Sequence, residues 1–96
     1  MAHKATQKDA EGVTLMFRTL GYPHIRGRAV RDHVLVEIGP VEAPLCGLRL
    51  RKVDQEEWLV EMRDGKRWEK TPNVGPRGNM VAAICDLFRQ HEDGEL

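Results

Sequence analysis

A turn between two tryptophans constrains this chain more than any other feature. Trp58 and Trp68 flank the dipeptide Asp64-Gly65, and the residues around that dipeptide alternate in character. Asp-Gly between alternating residues is the strongest short-range signal for a β-hairpin, because tight hairpin turns need positive backbone angles that glycine adopts easily. The sequence therefore predicts two antiparallel strands joined at this turn.

The register of the hairpin depends on which side chains share a face. A two-residue loop at Asp64-Gly65 would mix polar and apolar side chains on each face. A three-residue loop at 63–65 pairs Val60 with Trp68 and places both tryptophans on one apolar face. We predict this second register, with both tryptophans in the core. Exposed rings that stack on nucleic-acid bases are the alternative.

Length and composition indicate a small soluble protein. The chain has 96 residues, of which 31% are charged, and its net charge is zero. We expect one domain over residues 1–96, with residues 1–5 frayed. No apolar run is long enough for a membrane span or suited to a signal peptide, which predicts a cytoplasmic location. In that compartment Cys46 and Cys85 are expected to be free thiols.

Hydrophobic periodicity predicts a helix at each end of a sheet. Apolar residues recur at helical spacing over 8–20, where Thr6 supplies a cap, and again over 79–91. Strands are expected near 30–38 and 45–53, followed by the tryptophan hairpin, with Pro72 ending the sheet. The arginine-rich segment 24–31 is expected to be a loop.

These elements predict an α+β fold with two layers. The chain order is helix, antiparallel meander of three or four strands, helix, and both helices should pack on one sheet face. The other face can stay open to water, as antiparallel sheets allow.

Patterns that carry catalysis are absent from the sequence. It contains no phosphate-binding loop and no Gly-x-Ser-x-Gly motif, and its four histidines lack the spacing of metal ligands. We therefore predict neither an enzyme nor a bound metal or cofactor.

The C-terminal half is similar to that of HicA-type toxins, small ribonucleases with the topology of double-stranded-RNA-binding domains. The similarity covers Asp64-Gly-Lys-Arg67, Pro72, Arg77-Gly78 and the segment 84–90, and Leu20-Gly21-Tyr22 resembles the end of the family's first helix. It implies a helix, three strands, a helix and RNA binding. The family's catalytic histidine motif reads Gly27-Arg28-Ala29 here, so the histidine is missing.

Charge patterning leads to the functional hypothesis. Residues 12–52 contain seven Lys or Arg and three Asp or Glu, although the whole chain is neutral. We predict a non-enzymatic interaction module, such as an inhibitor, adaptor or accessory factor of the size that phages and mobile elements encode. Its partner would be an acidic or mixed-charge protein surface. The predicted partner-binding residues are Arg26, Arg28, Arg31, Arg49, Arg51 and Arg67.

Two other functions remain open at this point. One is a HicA-like ribonuclease without its usual histidine. The other is an RNA- or DNA-binding module that uses the arginines Arg26, Arg28, Arg31, Arg49, Arg51 and Arg77. A homodimer through the open sheet face is also expected to be feasible, because that face would carry both signs of charge and two leucines.

Overall fold

The computed structural model describes residues 3–94, with side chains through residue 90. The elements are α1 (Gln7–Thr19), β1 (Ile25–Val30), β2 (His33–Ile38), β3 (Leu45–Lys52), β4 (Trp58–Asp64), β5 (Arg67–Gly75) and α2 (Arg77–Gly94). The strands form one antiparallel sheet in chain order, β1-β2-β3-β4-β5. The α+β class and the helix–meander–helix order are confirmed. The described sheet has five strands, one or two more than predicted and two more than the RNA-binding topology.

A capping box starts α1. The Asp9 backbone N–H donates to the Thr6 hydroxyl at 3.1 Å, and the Thr6 N–H donates to the Asp9 carboxylate at 3.0 Å. Just ahead of it, Ala5 is buried and its N–H donates to the Arg31 carbonyl at 2.8 Å. Ala5 is therefore ordered by the fold, while Met1 and Ala2 of the expected frayed segment lie outside the described residues.

Both helices pack on the same side of the sheet. Val13 and Phe17 of α1 and Val81 and Ile84 of α2 are fully buried in one cluster with inward side chains of the strands. The strand members of this cluster are Ile25, Val34, Val36, Leu48, Leu50, Trp58 and Val60. The opposite face carries no helix among the described elements. None of the helices in this part of the chain is long and apolar enough to cross a membrane.

The predicted arginine loop is in fact strand β1. Ile25 is buried while Arg26 and Arg28 project from the opposite face, so the segment alternates as a strand does. Gly27 and Ala29 occupy inward positions and hid this alternation, because small residues give a weak hydrophobic signal. The turn to β2 follows at Arg31, which has a positive φ of 56°.

Gly27 allows α1 to lie close against β1. A Cβ atom there would come within 2.8 Å of the Val34 side chain and 3.0 Å of the Ala10 carbonyl oxygen. The Gly27 N–H donates to the Thr14 hydroxyl at 2.8 Å. The hydroxyl in turn donates to the Ala10 carbonyl at 2.9 Å. Helix α1 therefore covers part of the β1 edge and satisfies a backbone group there.

The hairpin register differs from the predicted one. Asp64 pairs with Arg67 and Arg63 pairs with Trp68, so the loop is Gly65-Lys66. Gly65 has a φ of 63° at the first loop position, as two-residue hairpin turns favour. An odd-numbered change of register moves every side chain to the other face. The core prediction is therefore confirmed for Trp58, which is 2% exposed, and wrong for Trp68, which lies half-buried on the open face.

A bulge lets β5 continue past Pro72, which had been expected to end the sheet. The pairing shifts by two residues between Leu59, opposite Val74, and Glu61, opposite Lys70. The Thr71 hydroxyl donates to the Val60 carbonyl at 2.8 Å and takes the place of a ladder bond. Proline is tolerated here because β5 is an edge strand.

Helix α2 begins two residues before the predicted cap, at Arg77 instead of Asn79. The Met80 N–H donates to the Pro76 carbonyl at 3.1 Å, which closes its first turn around Arg77, Gly78 and Asn79. Asn79 is therefore a residue of the helix and not its cap.

Replacing Gly27 with alanine should destabilise the fold by about 1–3 kcal/mol, because the added methyl group overpacks the α1–β1 contact. Gly47→Ala is the matched control, since a Cβ at Gly47 would meet nothing within 4 Å. Urea unfolding followed by circular dichroism measures both variants. Equal stability of the two would contradict the close approach of α1 to β1.

The two tryptophans should respond differently to truncation. Trp58→Ala should cost on the order of 3–5 kcal/mol because it leaves a cavity in the core. Trp68→Ala should cost clearly less, since the open face already exposes part of the ring. Unfolding midpoints and iodide quenching of each single-tryptophan variant test this, and strong quenching of Trp58 in the folded state would contradict it.

Candidate functional site

The open face of the sheet displays its side chains in rows that run across the strands. Direct pairing places Arg28, Leu35, Arg49, Glu61 and Lys70 in one such row, from β1 to β5. The row alternates basic, apolar, basic, acidic and basic groups. The face is therefore a mixed-charge surface with a basic excess.

Four of the six predicted partner-binding residues meet on this face: Arg26, Arg28, Arg49 and Arg51. Arg31 is exposed beside them, in the turn between β1 and β2. Arg67 is separate, because its pairing with Asp64 turns it to the helix side at the hairpin tip. The structure thus groups the arginines of β1 and β3 and removes Arg67 from the candidate site.

Glu37 joins the two arginines of β1. Its side chain is only 9% exposed, and Arg28 Nε lies 3.0 Å from Glu37 Oε2 while Arg26 Nε lies 3.9 Å from Glu37 Oε1. Arg26 also donates from Nη1 to the Gly39 carbonyl at 2.7 Å and from Nη2 to the Pro40 carbonyl at 3.3 Å. Arg26 is therefore held in place, whereas the Arg28 side chain is 58% exposed.

Glu61 likewise joins the two arginines of β3. Arg49 Nε donates to Glu61 Oε1 at 2.6 Å, and Arg51 Nη1 lies 3.7 Å from Glu61 Oε2. The Arg49 guanidinium stacks over the Trp68 ring, 4.4 Å from its centroid. Arg51 also faces Asp32, with Nε 3.6 Å from Oδ2, and its side chain is 42% exposed.

The face thus contains two Arg–Glu–Arg triads, one centred on Glu37 and one centred on Glu61. Arg26 and Arg49, the inner arginines, are largely covered, and Arg28 and Arg51, the outer arginines, are exposed. A buried carboxylate needs charged hydrogen-bond partners to offset its desolvation. Arg28 supplies this hydrogen bond to Glu37 and Arg49 supplies it to Glu61, while the other arginine of each triad lies 3.7–3.9 Å from its carboxylate.

The surplus charge on this face is large for a neutral chain. Seven basic side chains stand on the face and its β1–β2 turn, against three carboxylates, an excess of four positive charges. The basic residues are Arg26, Arg28, Arg31, Arg49, Arg51, Arg63 and Lys70, and the acidic ones are Asp32, Glu37 and Glu61. Because the chain is neutral, the rest of the sequence carries the balancing negative charge.

Sequence reasoning missed Trp68, Arg63 and Lys70 as members of this face. All three depend on the register of the β4–β5 hairpin, because a shift by one residue exchanges the two faces. The available signal was Gly65, which suits the first position of a two-residue loop as well as the third position of a longer one.

His33 and Asp32 form the end of the face nearest the β1–β2 turn. His33 Nδ1 lies 3.1 Å from Asp32 Oδ1, and the His33 side chain is mostly covered. Burial by itself would raise the pKa of Asp32, but the hydrogen bonds from His33 and the backbone outweigh it and lower the pKa. Asp32 is therefore ionised at neutral pH and orients Arg51.

Neither thiol is an activated nucleophile. Burial raises the pKa of Cys46, and the charge of Glu37 adds to that effect, while burial also raises the pKa of Cys85. A raised pKa keeps both groups protonated and weakly reactive at neutral pH. Within residues 3–90, whose side chains the structure describes, no group of three or more His, Cys, Asp or Glu is placed to hold a metal ion.

A second concave region lies on the helix side, where both helices begin. This open groove has a volume of about 740 Å³ and borders the acidic turn 54–57, Trp58 and Arg77. Beside it, Asp9 binds Lys52 Nζ at 3.1 Å and Arg77 Nη1 at 2.9 Å. These ion pairs join α1, β3 and α2, so the charges beside the groove stabilise the fold.

No family model, curated protein or solved structure matches the chain. The resemblance to HicA-type toxins also weakens in three dimensions, because Gly27-Arg28-Ala29 lies inside β1 instead of ahead of the first strand. The function must therefore be inferred from the groups on the open face themselves.

Asp9 should make stability depend on pH. Burial would raise its pKa, but hydrogen bonds from Thr6 and Lys52 outweigh burial and lower it. A carboxylate with a lowered pKa contributes stability above its unfolded-state pKa, near 3.8, and loses the contribution as the pH falls through the folded-state pKa.

We expect Asp9→Asn to lower the free energy of unfolding by on the order of 2 kcal/mol at pH 7. The loss should be much smaller at a pH below the lowered folded-state pKa of Asp9, where the natural carboxyl group is also neutral. Asp86→Asn is the control, since Asp86 forms only an exposed pair with Arg89. Urea unfolding at several pH values measures both. A cost for Asp9→Asn that stays constant with pH would show that its charge is unimportant.

Proposed function

We propose that this protein is a non-enzymatic interaction module whose open sheet face binds an acidic or mixed-charge surface of a partner protein. One observation carries the proposal: two Arg–Glu–Arg triads stand on the same face, and each presents an exposed outer arginine. Guanidinium groups bind carboxylates in bidentate geometry, and the buried glutamates Glu37 and Glu61 hold these groups before a partner arrives. Such preorganisation lowers the entropy cost of binding.

The size of the face fits a transient or regulatory partner. Five strands and about six residues per strand give a surface of roughly 24 by 20 Å, on the order of 500 Å². A standard protein interface covers about 800 Å² on each partner. A partner would therefore reach the rim as well, where Arg31 is exposed. These features suit an inhibitor or adaptor.

Nucleic acid is the second candidate ligand. Trp68 and the Arg49 guanidinium stack on the same face as the charge excess, and single-stranded binders combine aromatic and basic groups in this way. We rank it second because Arg49 already covers one side of the Trp68 ring and because two carboxylates stand among the basic groups.

A second copy is a poor occupant for this face. Two faces that each carry an excess of four positive charges would repel one another when stacked. The homodimer predicted from the sequence is thus disfavoured on electrostatic grounds. For the location we propose the cytoplasm, a compartment in which Cys46 and Cys85 would stay free thiols.

The proposal is tested with the outer arginines. Replacing Arg28 and Arg51 with alanine should weaken partner binding at least tenfold, about 1.4 kcal/mol. Because Arg28 is the close partner of the buried Glu37, the double variant should also lose stability, and circular dichroism must show that it is folded before its binding is compared. Arg26 is unsuitable for this purpose because it donates to the Gly39 and Pro40 carbonyls and its loss would disturb the fold.

The experiment is affinity capture from source lysate with three baits, each with and without nuclease. They are the natural chain, the double variant at Arg28 and Arg51, and a control in which Arg18 and Arg89 on the helices become alanine. A partner kept by the control and lost by the double variant supports the proposal. Equal capture by all baits would remove the face from the interface. Nuclease-sensitive, salt-sensitive capture would favour nucleic acid.

A further inference from the structure

The outer arginines stand at a defined spacing with an apolar group between them. Arg28 is on β1 and Arg51 on β3, two strands apart and two residues apart along the sheet. From ordinary strand dimensions their Cα atoms are about 12 Å apart. On β2, between them, Leu35 lies opposite Arg28 and His33 lies opposite Arg51. The pattern across the face is therefore a cation, then the Leu35 and His33 side chains, then a second cation.

The two outer arginines have unequal but available donors. Arg28 uses Nε for Glu37 at 3.0 Å, and 58% of its side chain is exposed. Arg51 has only longer contacts, 3.6 Å to Asp32 and 3.7 Å to Glu61, so a closer carboxylate can take its guanidinium. The inner arginines are already committed to Glu61, the Gly39 carbonyl and the Pro40 carbonyl.

We infer that the partner presents an acidic amphipathic helix with two carboxylates about two turns apart and an apolar residue between them. This inference rests on the proposed function and names the recognition element. Positions i and i+7 of a helix are about 10.5 Å apart along its axis, close to the spacing of the outer arginines. Positions i+3 and i+4 fall between them on the same helix face and would meet Leu35.

Packing considerations also favour a helix. The other face of this sheet already packs against two helices, so a third helix on the open face would complete an α/β/α arrangement. An extended segment would satisfy its backbone only at a strand edge. The β1 edge is partly covered by α1, and the β5 edge contains Pro72 and a bulge.

Two fluorescently labelled helical peptides of identical composition test the inference. In the first peptide, glutamates occupy positions i and i+7, and leucines occupy the positions i+3 and i+4 between them. In the second peptide, the glutamates occupy positions i and i+4, and both leucines come after the second glutamate. We expect the first to bind about fivefold more tightly or better, measured by anisotropy. Arg28→Ala and Arg51→Ala should each reduce that preference, and the Arg18 and Arg89 control should keep it.

Lysine variants add a geometric readout. Arg28→Lys and Arg51→Lys keep the positive charge but lose the bidentate guanidinium. They should therefore lower the affinity for the first peptide more than the affinity for the second, which depends on electrostatic attraction alone. Equal affinities of the two peptides, tighter binding of the second, no binding of either, or tighter binding of a single-stranded oligonucleotide would each overturn the inference.

The outcomes separate this inference from the proposed function. If partner capture depends on the outer arginines but the peptides are indistinguishable, the acidic helix is wrong and the interaction face remains. If neither capture nor peptide binding depends on Arg28 and Arg51, both proposals fall.

Discussion

One carboxylate links the three parts of this fold. Asp9 lies in the first turn of α1, receives Lys52 from the end of β3 and receives Arg77 from the start of α2. It also belongs to the capping box with Thr6, so the same group starts a helix and sets the position of that helix on the sheet. Its partners are far apart in sequence, and charge-assisted hydrogen bonds of this kind are stronger than neutral ones. Both helices are thereby held on one face, which leaves the other face without a helix.

The open face depends on a second electrostatic rule. Glu37 and Glu61 are buried on a surface without a covering layer, and the side chains that cover them are arginines. Each glutamate meets two arginines, one at hydrogen-bond distance and one farther away, and the outer arginine of each triad is the more exposed of the two. The same ion pairs that make the face stable therefore make it a basic surface with ordered donors.

The helix-side groove and the open face differ in how completely their basic groups are paired with carboxylates. Beside the groove, the ammonium of Lys52 and the guanidinium of Arg77 both bind Asp9, and Arg77 is the only basic residue among the described residues that line it. On the open face the basic groups exceed the carboxylates. We therefore propose binding at the face whose basic groups outnumber its carboxylates, since an exposed guanidinium with donors to spare gains from a new partner.

Local rules in the sequence were sufficient for the fold class. The helical periodicity around Val13 and Phe17, the Thr6 cap and the hairpin signal at Gly65 each act over a few residues. The helix, its cap and a hairpin all appear in the structure, although the hairpin loop is Gly65-Lys66 and not the predicted 63–65. They predicted the order of helix, meander and helix, and they placed Arg49 and Arg51 on one side of a strand. Most of the candidate site, Arg26, Arg28, Arg49 and Arg51, was therefore in the predicted set.

Other features were decided only by tertiary structure. Segment 25–30 is a strand because α1 packs over Gly27, a contact between residues distant along the chain that no local pattern contains. The position of Trp68 follows from the pairing of Arg63 with Trp68, and Gly65 alone allows more than one loop length. The sequence by itself determined which segments fold and which residues carry charge. Long-range packing and strand register decided which of those charges share a face, because a one-residue change of register costs little locally and reverses every side chain.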